Sequence, residues 1–264
     1  MAYRNNGVMK LPAFLKQHAA RISLGFAIVL LVLLHAAGVV PLDFAQRLEN
    51  YTYDQRLQWT MPGTVDPRIV IVDIDERSLQ ELGHWPWPRH QIARMMDLLF
   101  DKYQIEVLGF DVLFAEPDES SGLGQLEQLA HTDLKDNRPF TQALARLRPS
   151  LRYDQIFADS LKNRRVALGY YFRHDGQDDS RVGSLPAPAL PAGSFDVAQV
   201  GAVQATGYAA NLAVLQQAAA SGGFFNASPL VDADGVLRRI SMLQMLDGQL
   251  HETLSLAMMR LVMG

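Results

Sequence analysis

Asp73 and Asp75 stand two residues apart at the end of the apolar run Ile69-Val70-Ile71-Val72, and Asp111 follows a second run, Val107-Leu108-Gly109-Phe110. Alternate residues of a strand share a face. Two parallel strands side by side would therefore bring the three carboxylates together near the carboxyl edge of a sheet, where open α/β folds place ligands. Such a group suits a cation, an amine or a hydroxyl. The competing use is structural: Asp75 turns the chain into the following helix, and Asp111 pairs with Arg89 or another arginine. An apolar strand ending in Asp-x-Asp is also how one class of phosphatases presents a nucleophilic Asp and its acid/base partner beside magnesium. Here Arg77 stands where that class has Thr or Val, and no later Gly-Asp pair completes a metal site. No catalytic residue, metal site or cofactor is assigned.

Trp85, Trp87 and Arg89 alternate with Pro86 and Pro88. Two indoles beside a guanidinium make an aromatic wall suited to stacking a ligand or a partner. The prolines equally fix an extended approach to a helix that the indoles seal. Asp232-Ala233-Asp234-Gly235 hints at calcium, but an EF-hand-like loop needs an oxygen ligand at its fifth position and Glu at its twelfth. Those positions are Val236 and Leu243, so the segment reads as a turn. The 7 histidines have no metal-ligand spacing.

These candidates need elements to position them. The chain has 264 residues, 48% hydrophobic and 20% charged, which is ordinary globular composition. A net charge of -4 supplies no basic field, which excludes nucleic acid as a partner. Ile22 to Val40 carries no formal charge and is long enough to cross a bilayer. Arg4, Lys10, Lys16 and Arg21 precede it, and all 28 acidic residues follow it. The positive-inside rule then holds residues 1–21 in the cytoplasm, makes 22–40 a transmembrane helix, and exports 41–264. The alternative is a cleaved signal peptide, since Ala36 and Gly38 are spaced like a cleavage site.

Beyond the span the pattern predicts an α/β fold with a mostly parallel, layered sheet. Pro41 to Trp59 reads as a juxtamembrane helix, and Arg68 to Asp75 as a strand buried on both faces. Ser78-x-x-Glu81 reads as a capping box opening a short helix, and Arg89 to Tyr103 as an amphipathic helix. Val107 to Phe114 would then complete a β-α-β unit. Residues 116 to 152 read as a polar excursion, Tyr153 to Asn163 as a helix, Val166 to Phe172 as a strand and Gly176 to Ser194 as a loop. Gly223 to Asn226 and Val236 to Leu246 would form a hairpin around Asp232 to Gly235, before a helix from His251 to Met263.

At Tyr53-Asp54-Gln55-Arg56, Ile69 to Asp75, Leu82-Gly83-His84-Trp85-Pro86-Trp87-Pro88-Arg89 and Gly109-Phe110-Asp111 through Asp118, the sequence resembles the second type of CHASE domain. Phe157-Ala158-Asp159-Ser160-Leu161, Asp232 to Arg239 and Ser255-Leu256-Ala257 follow in the same order. The resemblance covers roughly residues 45 to 264. It implies an extracytoplasmic sensory domain of a bacterial cyclase or kinase, binding an unknown ligand and working as a homodimer. Members of that family usually continue into membrane helices and a cytoplasmic output domain. The resemblance therefore implies an input half, C-terminally incomplete, with candidate ligand residues Asp73, Asp75, Trp85, Trp87, Arg89 and Asp111.

Overall fold

The structure, a computed structural model, describes residues 13–174, 179–196, 200–226, 231–232 and 234–264. It divides into two compact units, Met1–Asp73 and Ile74–Gly264.

Among its described residues the first unit carries two helices. In α1 (Ala13–Ala36) the stretch His18–Ala36 has mean hydropathy 2.1, and none of it is buried. The helix ends four residues before the expected Val40 because the chain turns at Gly38, whose φ is 72°. His35 stitches that turn: its Nδ1 accepts from the Leu42 N–H at 3.1 Å. Next comes α2 (Asp43–Thr60), with no buried residue. The strand expected over Arg68 to Asp75 is not formed, and Ile69, Val70, Ile71 and Val72 are 57–89% exposed rather than buried on both faces. The β-branched run has the intrinsic preference but meets no pairing strand among the described residues, and strand formation depends on such neighbours.

The second unit opens with α3 (Glu76–Leu82), α4 (Arg89–Asp97) and a π-helical turn, Leu98–Lys102. The cap of α3 differs from the expected Ser78 box. Asp75 is the N-cap, its Oδ1 accepting from the Ser78 N–H at 2.8 Å. After β1 (Leu108–Phe110) the polar excursion contains α5 (Leu123–His131) and α6 (Arg138–Leu151), leading into α7 (Tyr153–Leu161). Then follow β2 (Val166–Arg173), β3 (Arg181–Val182), β4 (Val203–Gln204), β5 (Gly207–Ala209), α8 (Ala213–Ala218) and β6 (Ser221–Phe224). The chain closes with β7 (Leu243–Leu246), β8 (Gln249–Glu252) and α9 (Leu254–Met263).

The central strand is β2. β1 and β6 lie parallel to it, β5 lies antiparallel, and β3 runs parallel to β5. A separate sheet has the order β4-β7-β8, with β7 and β8 antiparallel. The fold is α/β, but its sheets are mixed, not mostly parallel. The hairpin also moves: it is Leu243 to Glu252 around Asp247-Gly248, whereas Gly223 and Phe224 belong to β6 beside β2. Asp232 and Asp234 instead fold back on Arg238 through ion pairs of 2.7 and 2.8 Å. Ala233 lies outside the described residues, as do 176–178 of the expected Gly176 to Ser194 loop, which also holds β3. His251 and Glu252, expected in the last helix, form the end of β8, and α9 starts at Leu254 behind its Thr253 cap.

Helices cover both faces of β1-β2-β6. Ile92, Ala93 and Met96 of α4, Phe157, Ala158 and Leu161 of α7 and Leu215 of α8 pack with Phe110, Val166 and Leu168. On the other face α9 sits directly on small residues: Ala167 touches Leu254 and Ala257, and a Cβ at Gly223 would run into the Leu254 backbone. A third cluster, Tyr170, Phe172, Phe224 and Leu246, joins the hairpin to β2.

Where β1 leaves β2, a fully buried side chain takes its place. Asn211 Nδ2 donates to the Gly169 carbonyl at 3.0 Å, and Asn211 Oδ1 accepts from the Phe114 N–H at 2.9 Å. Asn211→Leu keeps the branched shape but strands both backbone groups. We expect a loss of about 2–4 kcal/mol, read as a fall of roughly 5–15 °C in the thermal midpoint of the detergent-solubilised full chain. A midpoint within about 2 °C of wild type would contradict the assignment.

Candidate functional site

The Trp-Pro-Trp-Pro-Arg run is absorbed by the core. Trp87 is 8% exposed, donates from Nε1 to the Gly83 carbonyl at 2.9 Å, and meets Trp85 edge-on at 5.6 Å between ring centroids. The peptide bond between Trp85 and Pro86 is cis. Pro88, as the N-cap of α4, has no side-chain acceptor for the exposed amides of the first turn. The acceptor comes from further along the chain: the Arg89 N–H donates to Asp118 Oδ2 at 2.6 Å.

That contact anchors a three-residue charge cluster. The Arg89 side chain is 9% exposed, its Nε 3.7 Å from Asp154 Oδ1 and its guanidinium 4.5 Å from the centre of the Phe114 ring. The Asp118 N–H donates to Asp154 Oδ2 at 3.0 Å. The two carboxyls respond in opposite directions. Burial pushes Asp118 up, but hydrogen bonds from Ser120 and the Arg89 amide, with the Arg89 charge, outweigh it and hold Asp118 below the ordinary value. Burial dominates at Asp154 and raises it despite the Asp118 amide and Arg89. Burial also lowers Arg89 against the pull of both acids. Beside the cluster opens a cleft of about 380 Å³, lined in part by Asp118, Glu119, Glu127, Arg152 and Asp154.

A second cleft, about 260 Å³, lies beyond the carboxyl ends of β1 and β6. Asp111, Phe225, Asn226, Ile240, Met242 and Thr253 line it. Asp111 follows β1 directly, which puts it at the edge where α/β folds place ligands. It makes no hydrogen bond or ion pair among the described residues. Asn226 fixes the floor by pairing both its amide atoms with the backbone of Phe172, at 2.9 and 2.8 Å. Thr253 caps α9, its Oγ1 accepting from the Leu256 N–H at 3.2 Å.

The candidate residues thus separate. Asp75 is spent on the α3 cap, where hydrogen bonds from the Ser78 side chain and amide hold it below the ordinary value. Arg89 and Trp87 are buried and Trp85 is half-buried, and Arg89 pairs with Asp154 and Asp118 rather than Asp111. The strand needed to bring Asp73 and Asp75 beside Asp111 is not formed. Among the described residues no group of three or more His, Cys, Asp or Glu could hold a metal ion. Sequence pattern does not single out Asp118 and Asp154. The available signal is a proline-capped helix opening on Arg89, which requires both an acceptor and a counter-charge from elsewhere. Asp118→Ala removes the acceptor and should cost about 1–2 kcal/mol near neutral pH. Because its folded pKa is depressed, the wild-type advantage is full above 3.8 and shrinks as pH falls below it. Urea midpoints of both chains across acid pH check this, and an unchanging difference counts against the cap.

Comparison with curated proteins and with solved structures found no match. The CHASE2 domain family matches residues 26–263. CHASE2 domains are extracytoplasmic sensory domains of signalling proteins. The matched region runs from the middle of α1 through both clefts to the end of α9, and the chain belongs to the CHASE2 domain family.

Proposed function

We propose that this chain is the membrane-anchored input part of a bacterial signal-transduction protein, with residues beyond α1 outside the inner membrane and an adenylate cyclase or sensor kinase as its output. The observation that carries the reading is the family match together with α1, whose unburied apolar stretch from Ile22 onward is preceded by four basic residues and no acid. On this reading α2 carries the signal towards the membrane, and the chain works as a homodimer. Transmission then requires a signal that binds two arrangements of the domain with different affinity.

The ligand site we favour is the Asp111 cleft. Its apolar wall of Phe225, Ile240 and Met242 suits an aliphatic or aromatic body. The uncommitted Asp111 carboxylate supplies one acceptor for an amine or hydroxyl on it. A panel of small primary amines should raise the thermal midpoint of the full chain, and Asp111→Ala should abolish the shift. A shift that survives in Asp111→Ala moves the site elsewhere.

Topology is tested directly. A C-terminally tagged full chain should remain in washed inner membranes, with the tag open to protease in spheroplasts. A soluble, shortened product would instead support cleavage after α1 and a free periplasmic solute-binding protein or hydrolase.

A further inference from the structure

His251 lies on β8 and is 2% exposed, yet neither ring nitrogen meets a hydrogen-bond partner among the described residues. Its ring stands edge-on to Phe172 at 5.5 Å and to Tyr170 at 6.5 Å between centroids. A buried polar group without partners is costly, and a phenylalanine would occupy the same aromatic surroundings without that cost. The imidazole differs from a phenyl ring in one respect that matters outside a cell: it takes up a proton near neutral pH.

The surroundings accept the neutral ring and reject the charged one. From β2 come Tyr170, whose hydroxyl also lacks a partner among the described residues, and Phe172. Across the hairpin His251 pairs with Gln244, whose Oε1 is 2.8 Å from His174 Nε2 in the segment after β2. At the hairpin turn Asp247 is bound to Arg181 of β3 at 2.6 Å. On the neighbouring position Glu252 is held by Arg260 of α9 at 3.0 Å. β6 presents Gly222, Gly223 and Phe224 and no charge. Both nearby carboxylates therefore already have an arginine.

The hairpin is also tied to the Asp111 cleft. Met242 precedes β7 and Thr253 follows β8; both line the cleft, and the Thr253 N–H donates to the Met242 carbonyl at 3.0 Å. α9 begins immediately after Thr253. A hairpin that lifts from β2 must displace these cleft residues.

We propose that His251 is an acid switch: protonation outside the membrane drives the β7-β8 hairpin off β2 and thereby reshapes the Asp111 cleft. The inference rests on the reading of that cleft as the ligand site and of the domain as extracytoplasmic. The direction follows from burial, which lowers His251 from 6.5 against the weaker pull of Asp247. The closed hairpin is fully stable above 6.5 and loses stability as pH falls below it, because the open form binds the proton more readily. Glu252 works the other way: burial raises it against Arg260, so acidification relieves part of its own cost. Tyr170, raised by burial and by Glu252, keeps its proton throughout, and Asp247, held low by the Arg181 hydrogen bond, keeps its charge.

The test is hydrogen exchange of the full chain in inner-membrane vesicles, with rates corrected for the intrinsic pH dependence of exchange. Between about pH 7.5 and about pH 5, amides of Leu243–Glu252 should lose protection by about tenfold or more in wild type, and by less than about twofold in His251→Phe. Unchanged wild-type protection overturns the switch, and so does an equal loss in His251→Phe, which would assign it to Glu252 or His174. If the variant does not fold, the wild-type imidazole carbon resonances decide. Titration below 6.5 in step with exchange supports the switch, and titration at or above 6.5 overturns it. Tag accessibility in the same vesicles separates the two readings: a cytoplasm-facing domain whose hairpin still opens with acid overturns the topology alone.

Discussion

One edge of β2 serves two neighbours, and the buried amide of Asn211 makes that possible. The carbonyls of Arg165, Gly169 and Arg173 all face this edge: the first accepts from Leu108 beside β1, the last from Thr206 beside β5. Gly169 falls between them, after β1 has turned away and before β5 has arrived. Its carbonyl and the Phe114 N–H would be buried without partners, at a cost of about 1–3 kcal/mol each, had Asn211 not bridged them. The next residue extends the join, with the Leu212 N–H donating to the Phe114 carbonyl at 2.8 Å at the start of α8. A parallel unit and an antiparallel unit thereby share one strand. The mixed sheet follows from this, as does the placing of Asp111 at an open edge rather than inside a continued ladder.

Close packing on the opposite face imposes a second requirement. Gly109, Ala167 and Gly223 leave room for α9, and a Cβ at Gly109 would collide with the Met258 sulfur. Because β8 runs into α9 through the Thr253 cap, the hairpin and this helix form one continuous lever against the sheet. Its inner surface is aromatic around Tyr170, Phe172 and His251, and its polar ties lie at the margins of that surface: Asp247 to Arg181, Gln244 to His174 and the backbone bridge between Phe224 and Thr253. Apolar contact is non-directional. An element held that way separates as a body when a charge is placed beneath it.

Much of this is legible in sequence where the determining forces are local. The uncharged run with one-sided basic flanks marks α1, the 3.6-residue apolar stripe marks α4, and Val166 to Phe172 marks β2 nearly to its ends. What sequence misses depends on remote partners. Ile69-Val70-Ile71-Val72 has every intrinsic feature of a buried strand, but pattern states only what a segment does once a neighbour is present. Pattern misplaces the hairpin because Asp232-Ala233-Asp234-Gly235 and Asp247-Gly248 are both good turns; Leu190, bridged to Leu250, and β4 beside β7 select the second. β3, β4 and β5 have two or three residues each, too short to carry any alternation. Asp118 and Asp154 lie 29 and 65 positions beyond Arg89, separated by a polar excursion with no pattern linking them to it.

The carboxylates show how structure sorts residues that sequence leaves equivalent. Asp75 caps α3, Asp118 caps α4, and Asp154 balances a guanidinium that is 9% exposed. Each has an oxygen committed to a backbone amide, which a ligand binding there would have to displace. Asp111 has no such engagement among the described residues, although it sits where three parallel strands end beside an apolar cleft. A carboxylate in that position keeps its full hydrogen-bonding capacity for a partner. Among the bases, His35 stitches a turn and His174 meets Gln244, whereas both ring nitrogens of the buried His251 lack a partner among the described residues and its ring is held by aromatic contacts. Two uncommitted groups, one acidic in a cleft and one basic beneath the hairpin that borders it, are the places where a small change in protonation or occupancy shifts the fold without first breaking it.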